Sequence, residues 1–185
     1  MMWVFGYGSL LWDPGFTVQR SVLARLPDYH RSFCMRSVHH RGTPDKPGLV
    51  LALDAAPGAE CHGLALGVDP ADADDVPAYL RDRELVSSAY VERMLAVDLA
   101  DGTRVQAVTY VIDADHVQYC GGLPLEDQAR IIAQAVGGRG PNTDYLHNTV
   151  AHLDHLGIHD PDLAWLDARV RALRNHGMAT APGRT

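Results

Sequence analysis

The chain contains the run Met2-Trp3-Val4-Phe5-Gly6-Tyr7-Gly8-Ser9-Leu10, an apolar strand leading straight into a Gly-Tyr-Gly-Ser turn. Glycines on both sides of Tyr7 open backbone angles closed to other residues and let the chain approach a ligand closely. Successive N–H groups in such a turn can bind an anion or a developing oxyanion. The same residues fit an edge strand with an ordinary tight turn, because short glycine-rich matches carry little weight alone.

Working outward from this turn, Leu11 to Leu26 reads as a connector, with Asp13-Pro14-Gly15 as a turn signal. Tyr29 to Ser37 alternates as a strand, Arg31 falling on the face of Tyr29, Phe33 and Met35. A His39–Pro44 loop leads to a short strand at Gly48 to Asp54. Pro57-Gly58-Ala59-Glu60 reads as a hairpin-type connection into another strand, Cys61 to Val68. Asp69-Pro70 precedes a helix at about Asp72 to Arg83, acidic in its first turn and basic in its last, as the helix dipole favours. Val91 to Leu99 and Val105 to Ile112 flank Asp101-Gly102 as a hairpin. Three helices follow, at about Pro124 to Val136, Thr143 to Leu156 and Pro161 to His176, and residues 177–185 read as a flexible tail. The expectation is one α+β domain over residues 1–176, a mixed sheet of about six strands, of a size that often curls into a β-barrel, with flanking helices and a helical C-terminal third.

The composition suits a soluble globular protein, with 46% hydrophobic and 21% charged residues among 185. A formal net charge of −7 argues against a nucleic-acid partner, which wants a basic face. Cys34, Cys61 and Cys120 fit no zinc spacing and read as reduced thiols. No secretory leader or membrane span is visible, so the expected location is the cytoplasm, with no membrane partner.

Several groups invite chemistry. Glu84 leaves the predicted helix beside Arg81 and Arg83 and precedes Leu85-Val86. A carboxyl buried by such neighbours suits a general base near neutrality, an effect that arginines oppose. An exposed helix-end glutamate in a surface ion pair fits the same residues. His152, His155 and His159 are the best metal candidates, but Gly157 ends the helix before His159 and no partner ligands stand in register. Ser9 lacks the second glycine of a Gly-x-Ser-x-Gly elbow. Gly137-Gly138-Arg139-Gly140 lacks the Gly-Lys-Ser/Thr ending of a phosphate loop and is better explained as a helix stop. Arg41, in His-Arg-Gly-Thr-Pro, can hold a carboxylate or stand at the surface.

Taken together, these segments resemble the ChaC family of γ-glutamylcyclotransferases. The resemblance runs from Trp3 to about Val170. It is carried by Val4–Trp12, His30–Cys34, Arg41–Pro44 with Pro47–Leu51, Tyr79–Glu84, and Gly140-Pro141-Asn142 with Tyr145-Leu146. It implies a γ-glutamylcyclotransferase-like barrel. It also implies a lyase that cleaves reduced glutathione to 5-oxoproline and cysteinylglycine with no metal or organic cofactor. Carried over residue by residue, it makes Glu84 the catalytic acid/base and Tyr7, Gly8, Ser9 and Leu10 the γ-glutamyl-binding loop. Arg41 or Arg36 would take a substrate carboxylate, and Tyr119 and Tyr145 would supply cleft hydroxyls. No role attaches to Ser87-Ser88-Ala89-Tyr90. The expected partner is a small molecule, glutathione, met by a monomer or weak homodimer. Action on other γ-glutamyl amines or amino acids, and a binding module without catalysis, remain open.

Overall fold

The structure is a computed structural model that describes residues 1–85 and 88–179, with side chains through 175. Of the expected tail, residues 180–185 lie outside the described residues, as do Val86 and Ser87. The chain divides into two compact units, Met1–Met35 with Leu51–Gly121, and Arg36–Val50 with Gly122–Thr185.

The first unit is built on a closed barrel. Strands β1 (Met2–Gly6), β2 (Arg20–Ser37), β3 (Gly48–Val68), β4 (Tyr90–Leu99) and β5 (Arg104–Ile112) close in the order β1-β3-β2-β4-β5. β1 shuts the barrel, pairing antiparallel with β3 (Met2↔Val68 to Gly6↔Leu64) and parallel with β5 (Trp3↔Ala107, Val4↔Val108). A strand paired on both edges and covered on both faces has no polar side to show, which is why Trp3-Val4-Phe5 is an unbroken apolar run. Trp3, Phe5 and Tyr7 enter a core with Leu26, Leu53, Val97 and Leu99. Burying each large apolar side chain of this kind contributes about 1.5–3 kcal/mol.

The expected hairpin forms from β4 and β5, paired Tyr90↔Ile112 to Asp98↔Arg104, and turns at Gly102 with φ +85°. Two expectations change. The segments Gly48 to Asp54 and Cys61 to Val68 are halves of one 21-residue strand, so the barrel has five strands. Pro57-Gly58 is a bend within that strand. Gly58 takes φ +83°, and its N–H donates to Asp28 Oδ1 at 2.9 Å instead of to a ladder carbonyl. Asp28 itself sits at φ +64°, so two left-handed residues meet where the neighbouring strands bend. The second change is in the connector, most of whose later part, from Arg20, is the start of β2.

A 3-10 turn, Pro70–Asp72, is capped by Asp69, whose Oδ1 accepts from the Ala71 N–H at 2.8 Å. Helix α1 (Asp75–Glu84) follows, with Glu84 as its last residue.

The second unit holds α2 (Leu125–Gln134), a two-stranded sheet of β6 (Val136–Gly137) and β7 (Gly140–Pro141), α3 (Asn142–His155) and α4 (Pro161–Ala179). Its centre is Asn142, fully buried. Asn142 Oδ1 accepts from the Leu49 N–H and its Nδ2 donates to the Leu49 carbonyl, both at 2.7 Å. One side chain thus supplies both hydrogen bonds that a neighbouring strand would have given. Glu126 on α2 ties to Arg169 on α4 through two 2.7 Å hydrogen bonds. Among the described residues no helix is long and apolar enough to cross a membrane.

Candidate active site

At the end of β1 the chain turns sharply. Ser9–Leu11 forms one turn of 3-10 helix, the Gly8 carbonyl accepting from the Leu11 N–H at 2.9 Å and Ser9 from Asp13 at 2.9 Å. The first N–H groups of a helical turn have no partner within that turn.

The C-terminal end of α1 belongs to the same unit, and Arg83 binds it to the turn. Its Nη2 donates to Ser9 Oγ at 3.1 Å. Its Nη1 donates to the carbonyls of Asp13 at 2.7 Å and Pro14 at 3.3 Å, and to the Tyr79 hydroxyl at 3.3 Å. Its Nε lies 3.2 Å from Glu84 Oε1, the two side chains being only 15% and 18% exposed. Consecutive side chains on a helix normally diverge. Here Glu84 is the last helical residue and both side chains converge. Tyr79 closes over Gly15, which sits at φ +75°, a conformation that favours glycine, and an added Cβ there would have to displace the Tyr79 hydroxyl, 1.9 Å away. The Asp13-Pro14-Gly15 turn is therefore the seat on which α1 ends.

Beneath the turn the contacts are structural. The Tyr7 hydroxyl donates to the Tyr110 carbonyl at 2.9 Å, so its ring anchors the turn in the barrel core. What Tyr7 brings to the turn is backbone. Its carbonyl accepts from Arg31 Nη1 at 3.0 Å, and the same nitrogen donates to His62 O at 3.0 Å. Arg31 is 3% exposed, a cation inside the fold next to the turn. The sequence signal for it was a charged residue on an otherwise apolar strand face. The Tyr110 hydroxyl donates to Glu92 at 2.9 Å, and Glu92 is held bidentately by Arg81 at 2.7 and 2.9 Å. That arginine keeps the Glu92 carboxyl below its ordinary range, while burial first and Glu92 second push the Tyr110 phenol up. Glu84 adds to the upward push on Tyr110, which places its charge within electrostatic reach of β5.

Tyr119, Arg41 and Tyr145 each have protein partners of their own. Tyr119 bridges to Met35 and donates to the Asp54 carboxylate, which raises its phenol to about 12. Beside it Cys34 is buried, its thiol pushed up to about 11 by burial, and Cys34, Cys61 and Cys120 are all free thiols. Arg41 and Tyr145 come together in the second unit. The guanidinium lies 5.6 Å from the Tyr145 ring centroid and donates to the carbonyls of Arg139 at 2.6 Å and Pro141 at 3.3 Å. Gly138 and Arg139 donate their N–H groups to His39 and His40 at 2.7 and 2.9 Å, so those donors are used in structure and not for phosphate. His152 Nδ1 contacts the Asn148 carbonyl at 2.7 Å, and among the described residues no three His, Cys, Asp or Glu side chains converge as metal ligands.

A closed barrel whose first strand ends in a tight turn, with a carboxylate linked to that turn through Arg83, is a cyclotransferase-type architecture. The chain superimposes on the γ-glutamylcyclotransferase specific to glutathione from yeast with a TM-score of 0.86, covering 95% of this chain and 97% of that one at 24% identity. Residues 2–173 match the model of the ChaC-like protein family. The chain belongs to that family. It is 33% identical over 172 residues to the glutathione-specific γ-glutamylcyclotransferase of Escherichia coli (strain K12), covering 93% of this chain and 74% of the relative. It is 35% identical to γ-glutamylcyclotransferase 2-3 of Arabidopsis thaliana, covering 92% and 88%, and 33% identical to the glutathione-specific enzyme of Schizosaccharomyces pombe, covering 92% of each.

Proposed function

We propose that the protein is a glutathione-specific γ-glutamylcyclotransferase, a lyase that converts reduced glutathione to 5-oxoproline and cysteinylglycine. The names of its ChaC-like relatives support the reaction and the substrate. The observation that carries the site assignment is the link from the Glu84 carboxylate through Arg83 to Ser9 in the turn after β1.

In this reading the substrate brings its own nucleophile. The α-amine of the γ-glutamyl group attacks its own γ-carbonyl, the five-membered ring closes and the bond to the cysteinyl nitrogen breaks. The site need only fold the glutamyl chain into attack geometry, an effect worth up to about 7–11 kcal/mol when fully realised. Glu84 takes a proton from the ammonium so that the amine can attack, and it returns one to the departing nitrogen. Such acid/base work contributes on the order of 10²–10⁴-fold. The N–H groups of the Gly6–Leu10 loop receive the γ-glutamyl group and the tetrahedral oxyanion, each well-placed donor typically being worth about 2.7–4 kcal/mol. Ser9 serves as part of the cradle and not as a nucleophile. Arg41, Tyr119 and Tyr145 are secondary candidates for holding the rest of the substrate. The protein works in the cytoplasm as a monomer or weak homodimer, without metal or organic cofactor.

Incubation with glutathione, γ-glutamylalanine and γ-glutamyl-lysine, with 5-oxoproline measured, tests the substrate. Release from glutathione and little from the other two is expected. Release only from the others moves the activity to a different γ-glutamyl substrate.

A further inference from the structure

Arg83 has an unusual set of partners for a residue at a helix end. A guanidinium offers five N–H donors in a rigid fork. In Arg83 that fork reaches Ser9 Oγ, two backbone carbonyls of the Asp13-Pro14 turn and the Tyr79 hydroxyl, while its Nε sits against Glu84. Every one of these contacts lies either on the segment from Ser9 to Pro14 or on the last turn and a half of α1. The two pieces are 74 residues apart along the chain at the Ser9 contact. The side chain is only 15% exposed, so little water competes for it. Lysine, a compact point charge, cannot satisfy this planar, multi-directional set.

We propose that Arg83 is a positioning residue for the cyclisation. Its guanidinium fixes the Glu84 carboxylate and the Ser9 turn in one arrangement, so that the base and the oxyanion donors act on the same folded γ-glutamyl group. The inference rests on the function proposed above. Arg83 touches no reacting atom and acts through Glu84 and the turn. Its loss therefore loosens the geometry of the chemical step more than it weakens substrate binding. A misplacement of about 1 Å at a reacting centre is enough to lower turnover on the order of 10²-fold.

The test compares wild type, Arg83→Ala, Arg83→Lys and Glu84→Gln with glutathione as substrate, following kcat and KM separately and thermal melting in parallel. Arg83→Ala is expected to lower kcat on the order of 10²-fold with KM within about threefold of wild type. Arg83→Lys should fall between the two. Free guanidinium ion, far below denaturing concentrations, should raise kcat of Arg83→Ala while leaving wild type and Glu84→Gln unchanged. If Arg83→Ala melts early, assays below its transition and the longer-chained Arg83→Lys keep the comparison. Wild-type kcat in a folded Arg83→Ala, or a loss of kcat that guanidinium does not relieve, overturns the inference. Should Glu84→Gln turn over like wild type, the acid/base reading itself fails and this inference falls with it. Should only Arg83→Ala do so, the acid/base reading stands and Arg83 is merely structural.

Discussion

Ser9 is the residue on which two chemistries part. As a nucleophile it would need a base at its Oγ, and what the structure gives that oxygen is a donor, Arg83 Nη2 at 3.1 Å. An arginine does not accept a proton from a hydroxyl. Ser9→Ala removes one hydrogen bond to a charged group, worth about 1.5–3 kcal/mol at most and less if the turn keeps its shape. Turnover of glutathione is therefore expected to fall by roughly tenfold, far short of the on-the-order-of-10⁶-fold loss that follows removal of a serine nucleophile. Steady-state kinetics of Ser9→Ala decide it, and a collapse of activity with an intact fold would return Ser9 to the role of nucleophile. Glu84 and the Gly-Tyr-Gly-Ser turn were both readable as candidates from residue type and position. Arg83 was readable only as a charge suited to a helix C-terminus, because nothing in a sequence tells which carbonyls a guanidinium will meet. Tyr7 presents the opposite case. Its hydroxyl lies within a chemical motif yet donates to the Tyr110 carbonyl in the core.

The elements were legible where periodicity and punctuation agree. The hairpin of β4 and β5, the helices α2 to α4 and the opening strand all follow from apolar spacing bounded by glycine, proline or a capping residue. The long strand β3 was not legible, because Pro57-Gly58 is the same dipeptide whether the chain reverses or only bends. What decides is Asp28, about thirty residues earlier, whose carboxylate takes the Gly58 N–H and lets the strand continue. Asn142 presents a similar long-range case. Its amide serves both backbone groups of Leu49, 93 residues away, from the start of α3. Asn142→Ala leaves a buried N–H and a buried C=O without partners, and the expected loss is about 2–4 kcal/mol in denaturant unfolding. A change under about 0.5 kcal/mol, the size seen at ordinary surface positions, would contradict this account of the second unit.

For the molecule as a whole, closure of the barrel is the event that gives the turn a fixed place. β1 is held on one edge by β3 and on the other by β5, so the Tyr7–Leu10 turn leaves a strand that cannot shift register without breaking both ladders. Helix α1, between β3 and β4 in the chain order, brings Arg83 to that turn with Glu84 beside it. Closure was an expectation of strand number and of the family resemblance, and the pairing of β1 with β5 could not be read from either strand by itself, since neither carries a signal for its partner. Membership in the ChaC-like family and the arrangement of Arg83, Glu84 and the turn lead to one central claim, that Glu84 carries protons for a substrate that cyclises on itself. The direct test is 5-oxoproline release from glutathione by Glu84→Gln beside wild type, with melting temperatures measured on both. Glutamine keeps the size of the side chain and removes its ability to accept a proton. The account predicts an unchanged melting temperature and turnover lower by at least about 10²-fold. Near-wild-type release of 5-oxoproline by a folded Glu84→Gln would contradict it.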